Sequence, residues 1–127
     1  MHSDRSFDNP PALPHEVVAE TLERALRDRT VEGEAASVLI GTALNDDDGE
    51  FVEYWCVQVG TRAVPGSPLL GPACLCLGHT VRRFGHLGDD ALALAKSLAA
   101  RAEADPSDVD GRAIDGYDDV RSFLRLP

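Results

Sequence analysis

The sequence predicts an α+β fold: an antiparallel sheet of about four strands, with an N-terminal helix and a long C-terminal-half helix packed on one face. Three observations predict it. Residues 14–29 carry apolar side chains at helical spacing, and so do residues 89–104. Between them, two runs rich in β-formers, 36–44 and 50–60, flank "NDDDG". A Gly/Pro-rich stretch then leads to a second pair of short apolar runs around Gly78-His79.

The first helix follows Pro14, which is tolerated at or before a first turn. Val18, Leu22, Ala25 and Leu26 form its apolar stripe. Glu20–Arg24 and Glu23–Arg27 are acid-before-base pairs at i, i+4, each worth a few tenths of a kcal/mol. In the next segment Asp48-Gly49 is a turn dipeptide, because glycine accepts positive φ. Phe51, Glu53, Trp55, Val57 and Val59 would share one face of the following strand, with Val52, Tyr54, Cys56 and Gln58 on the other. Both faces carry bulk, so this reads as a central strand. Residues 61–72, with Pro65, Gly66, Pro68, Gly71 and Pro72, read as a long, stiff, exposed loop, a kind that often carries function. "ACLCL" and "TVRRF" around Gly78-His79 read as a tighter hairpin. Asp89 or Asp90 then caps the last long helix, whose stripe is Ala91, Leu94, Ala95, Leu98 and Ala102, and Pro106 ends it. Turns at Gly111 and Gly116 precede a short helical end packed by Val120, Phe123 and Leu124. Residues 1–13 are expected to be a flexible arm and 14–127 a single domain, since a chain of 127 residues can bury one real core.

Charge narrows the function classes. The formal net charge is −10, from 22 acidic against 12 basic residues, of which Lys96 alone is lysine. A phosphate backbone or an anionic membrane needs a basic face, so neither nucleic acid nor membrane is an expected partner. An acidic surface speeds encounter with a basic protein, and it also keeps a small domain soluble. The N-terminal residues have no apolar run of the secretory kind, and no stretch approaches a membrane span. With three cysteines, one at least cannot pair within the chain, which suits a reducing cytoplasm.

No motif dictates a chemistry. Cys74 and Cys76 in "CLCLGH" are separated by one residue, without the C-x₂₋₄-C turn that folds two sulfurs around zinc, so they read as core rather than metal or redox groups. Asp46–Asp48 and Asp108–Gly111 fail as calcium loops, because Trp55 and Tyr117 stand where a glutamate is required. No metal and no cofactor is expected, and the chain lacks both common glycine-rich phosphate motifs. Arg82 and Arg83 would point to opposite faces of a strand, with one of them pairing with Glu53. No catalytic residue is assigned.

The succession of a leading helix, a strand, a strand with Tyr54-Trp55, a loop ending "LLGP", an apolar strand, a glycine turn and a strand ending "RFG" resembles the YrhB-type immunity proteins of bacterial polymorphic toxin systems. The likeness spans about residues 14–88 and rests on Trp55, Leu70, Gly71, Pro72, Gly78 and Gly85. Gly71 and Pro72 are adjacent here, where that family has a longer "GNGP"-like turn. The resemblance implies a protein that binds and blocks a cognate toxin.

Taken together these features predict a non-enzymatic binding protein of the immunity or inhibitor type, occluding a basic partner protein. Its contacts are expected at Asp46, Asp47, Asp48 and Glu50, and at Arg62, Leu69 and Leu70 in the loop. The alternative is a small-molecule-binding domain or small enzyme with a pocket between sheet and helices, lined by Glu53, Tyr54, Trp55, His79 and His86. The Ala/Leu face of the long helix is a candidate homodimer surface.

Overall fold

Helical spacing, not alternation, organises the middle of the chain. Val52, Trp55, Cys56 and Val59 are all buried, at i, i+3, i+4 and i+7, so this stretch turns one face inward as a helix does. The computed structural model describes residues 12–127, and among these it holds six α-helices and no strand. They are α1 (His15–Arg27), α2 (Glu32–Asn45), α3 (Gly49–Arg62), α4 (Leu70–Phe84), α5 (Asp89–Ala104) and α6 (Arg112–Leu124), with a 3₁₀ turn (Arg29–Val31) between α1 and α2. The fold is all-α. The expected α+β sheet is overturned: both anticipated hairpins are helical, and the helices pack on one another. The expected arm lies almost wholly outside the described residues.

Local chemistry accounts for each replacement. Asp48 does not open a hairpin turn; its carboxylate accepts from the Phe51 N–H at 3.1 Å and caps α3. In α4, Pro72 sits in the first turn, where its missing N–H costs nothing. Gly85 ends that helix in the left-handed conformation at φ 77°. Gly78 lies inside α4 because α6 crosses there: a Cβ on Gly78 would come 3.0 Å from the Gly116 carbonyl oxygen. Asp28 accepts from the Thr30 N–H at 3.0 Å and opens the 3₁₀ turn. Asp89 and Asp90 occupy the first turn of α5, where negative charge meets the positive end of the helix dipole.

Helix α4 is the hub. It packs against α2, α3, α5 and, most extensively, α6. Leu70, Ala73, Cys74, Cys76, Leu77 and Val81 on this helix are fully buried. A helix apolar on nearly every side belongs inside a bundle. Helix α1 leans on α2 and α3 through Val18, Leu22 and Ala25. Helix α5 turns Ala91, Ala95, Leu98 and Ala102 into the core, so the anticipated dimer face is consumed within the monomer.

The connection between α3 and α4 is shorter than expected, residues 63–69. Ser67 is buried and donates to Glu32 Oε2 at 2.7 Å, while its hydroxyl accepts from the Leu69 N–H at 3.1 Å. Arg29 Nε holds the other Glu32 oxygen at 3.1 Å. Gly66, at φ 85°, donates to the Asp108 carbonyl at 2.8 Å. These bonds pin the segment at Gly66 and Ser67. No helix among the described residues is long and apolar enough to cross a membrane.

Candidate functional site

The corner between α2 and α3 is built from the inside out. Asp46 is turned inward, its side chain 8% exposed. One carboxylate oxygen accepts from the Asp48 N–H at 2.9 Å, and the other meets His15 Nε2 at 2.9 Å. The His15 ring stacks on Phe51 at 3.6 Å between centroids and 4° between planes. From the far side, Arg83 Nη1 donates to the carbonyls of Ala43 (2.9 Å) and Asp46 (2.7 Å), which α2 leaves unsatisfied at its C-terminus. Its second amino group reaches Asp47 at 3.2 Å, and the guanidinium lies over the Phe84 ring at 4.7 Å. This scaffold holds Asp47, 99% exposed, together with Asp48 and Glu50 at the surface.

Glu53, one turn further along α3, completes the surroundings. It does not pair with Arg82 or Arg83, as the strand reading expected; these bind Asp119 and Asp47. Its Oε2 accepts from the Gly88 N–H at 3.0 Å and so ties α3 to the loop before α5. That tie places His86 and Asp90 beside α3. Two adjoining clefts result. One, of about 340 Å³, is lined by Asp47, Asp48, Glu50, Glu53, Phe84 and His86, among others. The other, of about 380 Å³, is lined by Glu50, Glu53, Tyr54, Val57, Gln58, His86 and Asp90. Glu50, Glu53 and His86 face both.

The structure thus joins much of the two residue sets that the sequence separated. Asp47, Asp48 and Glu50 meet Glu53, Tyr54 and His86 on one face, because the "strand" is a helix that Asp48 caps and that carries Glu50 and Glu53 in its first two turns. The others lie elsewhere. Asp46 is structural. Leu69 and Leu70 are fully buried core residues rather than loop contacts. Arg62 belongs to the last turn of α3 and binds Glu23 of α1 with two bonds, at 2.7 and 2.9 Å. That guanidinium holds the Glu23 carboxyl below its ordinary range. Trp55 is 5% exposed and packs in the core. His79 is half-buried in the middle of α4, not in a turn, and burial pushes its pKa down despite the nearby Asp119 carboxylate. Arg82 pairs with Asp119 at 3.6 Å.

Of the lining residues named above four were missed: Phe84, Val57 and Gln58, read as strand positions, and Asp90, read only as a helix cap. Helical periodicity from Asp48 onward is the signal that would have found Val57, since Glu50, Glu53, Tyr54 and Val57 follow at helical spacing. On the opposite side of α1 a separate cleft of about 350 Å³ is lined by Glu20, Thr21, Arg24, Arg27, Val31 and Glu34, with charges of both signs.

The cysteines are all buried and unpaired. They lie on helices rather than a strand. Cys74 donates to the Ala113 carbonyl at 3.2 Å, and burial pushes its pKa up to about 12. Cys56 is driven well above the ordinary thiol range by the adjacent Cys76 thiol and by burial. Such thiols pack as small apolar groups. Among the described residues no group of three or more His, Cys, Asp and Glu is placed to hold a metal ion.

No family model, curated protein or solved structure matches the chain. The order of strands on which the likeness to YrhB-type immunity proteins rested is here the order of α2, α3 and α4, so that likeness contributes nothing to the fold.

Proposed function

We propose that the chain is a non-enzymatic binding protein of the immunity or inhibitor type, which covers a basic surface of a partner protein with its α2–α3 corner and the adjoining clefts. The observation that carries this reading is the unbalanced charge of that face. Asp47, Asp48, Glu50, Glu53 and Asp90 line the two clefts, and with partners among the described residues only Asp47 of these forms an ion pair, with Arg83. Acids at the starts of α3 and α5 also favour those helices. Glu53 lies beyond the first turn, however, and five carboxylates gathered on one face outweigh the positive ends of the two helix dipoles, which leaves negative potential where a cationic surface would dock. Three buried, unpaired thiols agree with a reducing cytoplasm as the working compartment.

The test is affinity capture from the lysate of the source organism at low and high salt, comparing wild type with Asp48→Arg/Glu50→Arg. A stoichiometric basic protein retained by wild type at low salt, released as salt rises and absent with the reversed corner, is the expected result. A partner retained equally by both chains excludes this face.

A second reading, a small-molecule site, draws on Glu53 and His86 both facing the same two clefts. A compound that co-purifies in native mass spectrometry and is displaced by Glu53→Gln would favour it.

A further inference from the structure

We propose that the groove between α3 and α5 receives an arginine side chain of the basic partner in preference to a lysine. This rests on the binding reading above and goes beyond it by naming the side chain that the groove takes.

Helix α3 has two unlike faces. Val52, Trp55, Cys56 and Val59 are in the core, whereas Glu50, Tyr54, Val57 and Gln58, at i, i+4, i+7 and i+8, form a face on which Glu50 and Tyr54 are exposed and Val57 and Gln58 half-buried. Tyr54 is 54% exposed, the most exposed of the large apolar and aromatic side chains among the described residues. Its ring is steadied by Trp55, which meets it edge to face at 5.3 Å and 89°. Across the groove stands Asp90 at the start of α5, and His86 closes one end.

The groove therefore has an aromatic wall, an aliphatic floor at Val57 and a carboxylate rim. Neither Glu50 nor Asp90 meets a cation among the described residues. At about 380 Å³ the space lies at the small end of ligand pockets, which suits one inserted side chain. Arginine matches these parts together. Its planar guanidinium lies on an aromatic face while its edge donors fork to carboxylates, and it sheds water more readily than an ammonium. Lysine gains the charge attraction but loses the stacking and the fork. Charge complementarity selects a cation, and the tyrosine wall selects the flat one.

The experiment titrates the ¹⁵N-labelled full chain with two acetylated, amidated peptides of equal length and charge, Gly-Arg-Gly-Arg-Gly and Gly-Lys-Gly-Lys-Gly, following amide shifts. The expected result is shifts centred on Tyr54, Val57 and Asp90, with the arginine peptide binding about 3-fold more tightly, the scale of one exposed cation–π contact. Tyr54→Ala is expected to abolish the preference while leaving weak, salt-sensitive binding of both peptides; Tyr54→Phe, which keeps the aromatic face, retains it. Equal affinities in the wild type, or shifts away from the groove, overturn the arginine assignment. If those equal affinities are salt-sensitive and map to the α2–α3 corner, the acidic-face reading survives alone. If neither peptide moves any residue of the corner or the groove, both readings fall.

Discussion

Replacing Gly116 by alanine tests the crossing on which the bundle is built. A Cβ there would lie 2.6 Å from the Cys74 carbonyl carbon and 2.7 Å from the Leu75 nitrogen. Carbon atoms in good contact sit about 3.5–4.0 Å apart, so α4 and α6 must separate by roughly 1 Å. The obstructing atoms are backbone in the middle of a buried helix and cannot swing aside as a side chain can. Overpacking of this kind costs about 1–3 kcal/mol, and occasionally more. Against it, alanine returns up to about 1 kcal/mol of helix propensity over glycine. We expect a net loss of about 2 kcal/mol, because a backbone clash belongs at the upper end of that range. Urea unfolding, followed by circular dichroism and by the fluorescence of Trp55, reads this directly. With a slope of about 1–3 kcal/mol per molar, the midpoint falls by roughly 1 M. Gly33→Ala is the control: nothing lies within 4 Å of its Cβ position, and its midpoint is expected to hold or rise. A Gly116→Ala midpoint at or above that of wild type would refute the close α4–α6 approach.

Three further outcomes are expected. Asp46→Ala removes the acceptor shared by His15 and the Asp48 N–H and should cost about 1–3 kcal/mol, with hydrogen exchange rising first at the start of α1; unchanged exchange there would show that the contact does not hold the helix. The thiols should resist an aromatic disulfide reagent in the native chain and react on unfolding. Stability should also fall above about pH 8.5, where unfolded thiols ionise, toward about 12, where Cys74 does; a flat alkaline profile would contradict that burial. On the acid side, Glu23, Asp108 and Asp110 are held below their ordinary range by Arg62, by Arg101 and by the Arg112 N–H respectively. The unfolded chain therefore takes up protons first, and stability is present above the ordinary carboxylate range and lost as pH falls through it. His79, lowered by burial, begins the loss nearer pH 6.5, so a urea midpoint constant from pH 7 to 3 would refute both.

What could be read from the sequence followed the strength of one period over another. The stripes of α1 and α5 stand on polar backgrounds, and their inward residues are the ones predicted, Val18, Leu22 and Ala25 in one and Ala91, Ala95 and Leu98 in the other. In α3 and α4 the apolar residues are too dense for one period to stand out. "FVEYWCVQV" satisfies alternation and helical spacing at once, and its aromatic and β-branched content tips a local reading toward strand. Asp48-Gly49 then looks like a turn, although an aspartate before a helix is an equally good cap. Gly78 misled for a different reason: its cause is the backbone of α6, nearly 40 residues away, which no local pattern reveals. The acids of the candidate site were legible as a cluster. Their meeting with Tyr54 was not, because it needs residues 49–62 to be helical, nor was that with His86, which depends on the Glu53–Gly88 bond from α3 to the loop before α5.

The position of α4 also has a consequence for synthesis. Its inward surface is covered by helices on both sides of it in sequence, and most of all by residues 112–124. As the chain is made from its N-terminus, α2 and α3 can gather against α4, but the face around Cys74 and Gly78 stays bare until α6 has been added. A partly made chain thus carries an apolar strip that stays uncovered until residues 112–124 have been made, which makes the interval before α6 emerges one exposed to aggregation.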